Sequence, residues 1–548
     1  MRKNGAQADV VLTGMQTDLD RDRRTTVAVR PDAALAARPR LFAALEAAFP
    51  ICFQPAGDAP AAEAGALLDV CDAEAFPADR DPAWRGTPTL AIGGDAQQTH
   101  GAETLFGESE SVDRRLRGAL LPGSLDGPRI ESAGGDREIL AAAGTTPAWA
   151  RAPGPVAIEM VAAALPELGP RQTLRELLFE RPLALTTLIQ LLRRLTAADA
   201  PTPPPLRAAI LFDDPNLRWR TYGFIDYRRL LAHADEHDYH AAMAMIPLDG
   251  WRQHRSTVSL FRERADRLSL VLHGNNHLSQ ELMRPGGDAG AVALAAQAMR
   301  RAARFEARYG LRMDRVMTPP HGMCAQQVTQ ALGALGFDAL CAIHPLPWTE
   351  HPPAERPLAG WGPAEFSGGC AVIPRIPLTT PAAEIALRAF LDQPLVLYGH
   401  HDDLAAGLAP LAEAVATVNR LGDVRWTSLG DIAATNHATR LEGSALRVHP
   451  YSHRLRVEVP EGARSLVVEP PREPSAGFAG WSASDSPDLI FGVAMPCKSG
   501  PLELRLAPLA RIDAATVPSP SPSLWPLVRR AATETRDRLR PLLPTGSA

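Results

Sequence analysis

The sequence predicts an α/β protein centred on a distorted (β/α)7 barrel, with a small α/β domain before it and a small antiparallel β domain after it. Three observations carry that prediction. From Leu206 to about residue 433, short apolar runs alternate with amphipathic helical stretches, as repeated βα units require. The stiff segment 201–205, PTPPP, sets this region off from what precedes it. After about Ala434 the texture changes to apolar/polar alternation broken by Pro and Gly, the pattern of short antiparallel strands.

A chain of 548 residues exceeds what one ordinary core supports, so several domains are expected. Residues 1–24 are polar and expected to be disordered. The N-terminal α/β domain spans 25–200, with short strands at 25–29, 51–54, 67–70 and 90–92, helical spacing over 34–48 and a leucine-striped helical region over 171–198. It contains neither a phosphate-cradling glycine loop nor a nucleophile elbow, and no chemistry is assigned to it. The barrel spans 206–433. Its strands are expected at 208–212, 241–246, 268–272, 315–317, 339–343, 395–398 and 424–427, with an additional extended segment at 371–376. A β-sandwich follows over 437–510, with strands at 445–449, 454–459, 465–468, 488–493 and 502–506. The remainder, 511–548, is a Pro/Ser linker and a basic amphipathic helix that could dock on its own protein, a partner or a membrane surface as a peripheral contact.

Composition narrows the function classes. With 57 basic and 62 acidic residues and a formal charge of −5, there is no cationic surplus of the kind nucleic-acid binding demands. Six scattered cysteines without a C-x-x-C pair favour reduced thiols. The N-terminus is charged where a signal peptide needs an apolar core, and no run approaches 18 uncharged apolar residues, so a cytoplasmic protein without a transmembrane segment is expected.

The stretch 208–216, AAILFDDPN, concentrates the chemistry. Its apolar part suits a strand buried on both faces, which places Asp213 and Asp214 at the strand's carboxyl end, where barrels bind ligands. The third expected strand ends in His273-Gly274-Asn275-Asn276-His277, offering two imidazoles from one turn, with Asp214 available as an oxygen donor from another strand end. The same H-x-x-x-H spacing recurs at His233/His237, inside a helical stretch, and at His449/His453, across a turn in the β domain. Only His273 and His277 follow a barrel strand. Trp219, Trp251, Trp348 and Trp361 fall in or near expected βα loops and could stack on sugar faces.

These motifs resemble the polysaccharide deacetylase superfamily (NodB-like, carbohydrate esterase 4) over residues 206–433. Phe212-Asp213-Asp214 looks like its first motif and His273 to His277 its second. Thr318-Pro319-Pro320-His321-Gly322 looks like its third and Leu397-Tyr398-Gly399-His400-His401-Asp402 its late histidine motif. The resemblance implies a divalent ion, zinc or similar, on Asp214, His273 and His277, with Asp213 as general base and His400 or His401 as general acid. It implies substrate contacts from Asn216, Trp219, Asn276, Pro320, His321 and Arg375. Thr318 stands where the family carries an arginine that orients the catalytic aspartate, and Arg375 is the candidate substitute. The implied function is removal of an acyl group from an amide or ester of a carbohydrate or glycoconjugate. Two alternatives stay open: a catalytically weak barrel acting as a carbohydrate-binding or assembly module, and hydrolysis of a non-sugar C–N bond.

Overall fold

The structure, a computed structural model, describes residues 24–71, 82–94, 101–124, 127, 130, 137–343, 356–471, 477–483 and 489–542. Residues 1–23 and Trp348 lie outside them. The chain divides into two compact units, Met1–Ala200 with Pro353–Leu358, and Pro201–Pro352 with Ala359–Ala548.

The first unit is built on one sheet. Its strands Ile51–Pro55, Thr25–Arg30, Ala66–Cys71, Thr89–Gly93 and Ile158–Val161 lie side by side in parallel. Thr146–Ala152, Glu138–Ala143, Gly101–Phe106 and Leu120–Ser124 continue the sheet in antiparallel pairs. The antiparallel half is absent from the sequence reading because strands such as EILAAA and TPAWARA carry little β-branched or alternating signal. The expected helical region is two helices, Leu174–Glu180 and Pro182–Leu195. The first is opened by a capping box in which Thr173 and Glu176 satisfy each other's backbone N–H.

The second unit holds the barrel. Seven parallel strands close on themselves: β1 (Arg207–Asp213), β2 (Ala241–Met245), β3 (Leu268–His273), β4 (Asp314–Thr318), β5 (Ala339–Ala342), β6 (Cys370–Pro377) and β7 (Leu395–Gly399). β1 pairs with β2 on one edge and β7 on the other, which closes the ring. All seven β1 residues are buried, as continuous apolar character predicts for a strand covered on both faces. One stave differs from the expectation. The segment set aside as additional is β6, whereas Arg425–Trp426 is a two-residue strand pairing only with Arg207 and Ala208 at the start of β1. Pro374 and Pro377 interrupt the β6 run and remove ladder donors, which disguises it as a non-strand.

The C-terminal β domain has two sheets. One orders His437–Glu442, Ala445–Pro450, Ser465–Val468 and Ala494–Pro496; the other orders Arg454–Val459, Gly500–Pro508 and Phe478–Ala483. The strand expected over 488–493 lies at Ala494–Pro496. Ala445–Pro450 and Ser465–Val468 pair in parallel, because the strand between them crosses to the second sheet before the chain returns. Leu446, Val457, Trp481 and Leu504 of this domain share one apolar core with Val316 and Ile373 of the barrel and with Leu429 and Ile432. The barrel is therefore supported from that side by packing rather than by a hinge. Among the described residues no helix is long and apolar enough to cross a membrane.

Trp481 is fully buried in the shared core and its indole N–H donates to Ile490 O at 3.2 Å. Trp481→Ala is expected to destabilise the fold by about 3–5 kcal/mol. Ile490→Ala, at a side chain 72% exposed, should change stability by less than about 0.5 kcal/mol. Denaturant unfolding of the two variants checks the pair.

Candidate active site

In a closed parallel barrel all strand carboxyl ends face one mouth, so the end residues of β1, β3, β4, β6 and β7 meet there. Asp213 is the last residue of β1 and Asp214 follows it at φ +80°, a left-handed conformation rare for a residue with a side chain. His273 ends β3, and His277 lies four residues on at φ +57°. Nε2 of His277 is 3.2 Å, and Nε2 of His273 is 3.7 Å, from Asp214 Oδ1. One ligand atom from each of the three residues lies within 4.8 Å of the other two, the only such His/Cys/Asp/Glu trio among the described residues. His233 and His237 stack on each other at 4.2 Å on the helix Tyr227–His237, and His449 bonds Glu469 in the β domain.

The chemistry of the trio fits a divalent cation. His273 Nδ1 lies 3.0 Å from the Thr318 carbonyl, which can only accept, so that nitrogen carries the proton and Nε2 presents a lone pair toward Asp214. Burial holds the His277 imidazole down at about 4 and lowers His273 as well, leaving both rings neutral near pH 7 despite the neighbouring carboxylates. Asp214 Oδ1 is buried without a hydrogen-bond partner. A buried carboxylate oxygen left open toward two neutral imidazoles is the N/N/O donor set that zinc takes.

Asp213 has a different environment. Burial pushes its carboxyl up, but its charged neighbours, the buried Arg375 guanidinium foremost, outweigh burial and bring it below the ordinary carboxylate value. Arg375, itself buried, donates from Nη1 to Asp213 Oδ1 at 2.8 Å and from Nη2 to Pro319 O at 3.3 Å, with its guanidinium 4.5 Å from the centre of the Tyr398 ring. The contact to Asp213 is a single hydrogen bond rather than a two-pronged fork. Arg375 is thus anchored between Asp213 and the Pro319 carbonyl. Thr318 takes on another task, holding His273 through Oγ1 and its carbonyl, both 3.0 Å from Nδ1.

The loop between the histidines is shaped by Glu281, a residue the sequence reading missed. Its carboxylate accepts the backbone N–H of Asn275 at 2.7 Å, Asn276 at 3.1 Å and His277 at 2.9 Å. Gly274, at φ +58°, is required because a Cβ there would stand 2.4 Å from Glu281 Oε1 and 2.7 Å from Pro320 Cγ. Three residues expected to touch substrate have contacts within the protein. Asn216 is fully buried, bonding Asp249, Arg218 and Arg538 through its side chain. The Asn276 amide oxygen is held by Arg301 at 2.8 Å, and Pro320 is buried against the Gly274 turn. Asn and Pro beside a motif read equally as contact or scaffold, and only burial separates the two.

His321 is exposed at φ +62°, its ring 5.9 Å from that of His277. Trp219 and Trp251 are each 56% exposed, with an arginine over one ring face, Arg538 at 5.7 Å and Arg218 at 5.1 Å; Trp361 is half-buried. The adjacent histidines after β7 part company. His400 is exposed. His401 is buried, packed on Phe224 and Tyr222, with Nε2 3.7 Å from Asp537.

No protein-family model and no curated protein matches this chain. Among solved structures it is similar to a candidate polysaccharide deacetylase from Mycobacterium smegmatis at 17% identity, over 43% of this chain and 92% of that one, with a TM-score of 0.31. It is similar to a family 4 acetyl xylan esterase from Clostridium thermocellum in complex with a cobalt ion at 13% identity, over 41% and 89%, with a TM-score of 0.24. A polysaccharide deacetylase from Bacillus cereus matches at 16% identity, over 39% and 85%, with a TM-score of 0.21. At this level of likeness, functional conclusions rest on the chain's own residues.

Glu281→Ala leaves the backbone N–H groups of Asn275, Asn276 and His277 without that acceptor and frees the second histidine to move. Zinc affinity, measured by chelator competition, should fall about 10- to 100-fold with an unchanged far-UV circular dichroism spectrum. An unchanged affinity would show that the loop keeps its shape without the carboxylate.

Proposed function

We propose that the chain is a metal-dependent hydrolase that removes an acetyl or related acyl group from an amide or ester of a carbohydrate or glycoconjugate. The observation that carries this reading is the division of labour between two adjacent carboxylates: Asp214 faces two neutral imidazoles, and Asp213 faces a buried arginine. Zinc or a similar divalent ion held by Asp214, His273 and His277 supplies Lewis acidity toward the acyl carbonyl and toward water.

The residues do the rest. Asp213, kept ionised by Arg375, accepts the proton of the attacking water at a carboxylate oxygen. Arg375 fixes the direction of that carboxylate by holding Oδ1 while itself tied to Pro319 O. His400, exposed at the end of β7, gives a proton to the departing nitrogen or oxygen. His401 is the weaker candidate for that task, being buried between Phe224 and Asp537. Trp219 and Trp251 offer exposed aromatic surface at the loops, which supports a sugar over a purely aliphatic substrate. The binding-module alternative draws on Thr318 in place of the family's arginine. The Arg375 contact to Asp213 supports turnover instead, since an arginine in that role serves proton transfer and not ligand affinity.

Asp213→Asn should keep the metal and lose about 10²- to 10⁴-fold in turnover, and His400→Ala should lose activity on the same scale. Asp214→Ala and His277→Ala should lose the metal itself, because each deletes one donor of three. Acetate release from a panel of N- and O-acetylated sugars, alongside metal content of each variant, checks these outcomes. A parent that holds one equivalent of metal and releases no acetate from any of them with any divalent ion would overturn the enzyme reading.

A further inference from the structure

The last described helix, α1 (Trp525–Leu539), is turned inside out relative to an ordinary surface helix. Its buried residues include Arg530, Glu534 and Asp537, while Leu524 just before it, Trp525, Val528 and Leu539 are 77%, 63%, 58% and 50% exposed. A helix on an apolar core buries its apolar stripe. α1 buries charge because the surface beneath it is the polar mouth of the barrel. Arg218 donates to Glu534 at 2.6 Å and Tyr222 OH to Asp537 at 2.9 Å.

Two arginines of α1 reach the backbone of the candidate metal ligands. Arg530 Nη2 donates to the Asp214 carbonyl at 3.0 Å, while its Nε and Nη2 hold Asp249 Oδ2 at 2.8 and 2.7 Å. Arg529 Nη1 donates to the His277 carbonyl. These two ligands are also the ones with left-handed backbones, at φ +80° and +57°. Such a conformation is costly for a residue with a side chain, so it persists only where the surroundings hold it. The guanidinium groups lie where that support is needed, and the charge of Arg530 is matched by fully buried Asp249.

We propose that Arg530 and Arg529 are positioning residues of the candidate metal centre: they lock the left-handed backbones of Asp214 and His277, so that helix α1 is a working part of the barrel's site. This rests on the reading of Asp214, His273 and His277 as metal ligands. It also explains why α1 keeps a charged stripe toward the protein, with apolar side chains left at its outer face.

The test uses the full chain with Arg530→Met, Arg529→Met and, as control, Arg540→Met, which releases the contact to Asp402 from the residue that follows α1 and touches neither ligand. Zinc alone is titrated by chelator competition, and the visible absorption of the cobalt(II)-substituted protein reports ligand geometry. Arg530→Met should weaken zinc about 10- to 100-fold and alter the cobalt bands, and Arg529→Met should move both readouts in the same direction by less. Arg540→Met should leave both at the parent's values. Circular dichroism identifies any variant that fails to fold. Should Arg530→Met do so, Arg529→Met, at a partly exposed residue, decides the outcome. Folded arginine variants that bind zinc with the parent's affinity and cobalt spectrum would overturn the proposal. A parent that binds no zinc would remove the metal reading itself, and the two failures are thereby distinct.

Discussion

Two adjacent carboxylates at the end of a fully buried strand repel each other and are both penalised by desolvation, so they coexist ionised only if each has its own compensation. The rest of the site follows from that constraint. Asp213 is compensated by Arg375, and Asp214 by the neighbouring His277 and His273 and by Arg530. The left-handed backbone at Asp214 turns the second side chain toward the imidazoles while the first stays with the arginine. Removing one partner of a buried ion pair typically costs about 3–5 kcal/mol because the other is left charged and dry. Arg375 and Asp213 are therefore held to each other by stability as well as by chemistry.

The scaffold supplies these positions from elements far apart in the chain. β6 carries Arg375 into the barrel wall, β4 brings Thr318 to His273 through a register shift beside it, and Glu281 ties three backbone amides of the histidine loop into one turn. The β domain adds a packed floor through Trp481 and Leu504, and the C-terminal helix adds cations at the mouth. Arg375 and His273 each have a second contact that fixes the direction of the side chain, Pro319 O for the first and Thr318 for the second.

Much of this was legible in the sequence. Asp213, Asp214, His273 and His277 stand out because each follows an apolar run that could only be a buried strand, and position after a strand separates His273/His277 from the decoys His233/His237 and His449/His453. Arg375 could be named as the candidate substitute because the resemblance implies an arginine where Thr318 stands. A sequence is silent where meaning depends on burial or on distant contacts. Asn216 and Asn276 carry the same polar side chain whether they meet a ligand or a neighbouring residue, and β6 is broken by prolines. Glu281 looks like any loop glutamate until the turn is closed. Arg530 lies in a stretch that reads only as a basic amphipathic helix, with nothing in the sequence to say what its arginines meet.

The central claim is that Asp214, His273 and His277 bind one divalent ion at the barrel mouth. Anomalous diffraction at the zinc edge, on crystals of the full chain grown with zinc, addresses it directly. One strong peak is expected, bonded to Asp214 Oδ1 and to the Nε2 atoms of His273 and His277, at distances of about 2.0–2.2 Å. Zinc located elsewhere, with this trio empty at full occupancy of the other site, would contradict it.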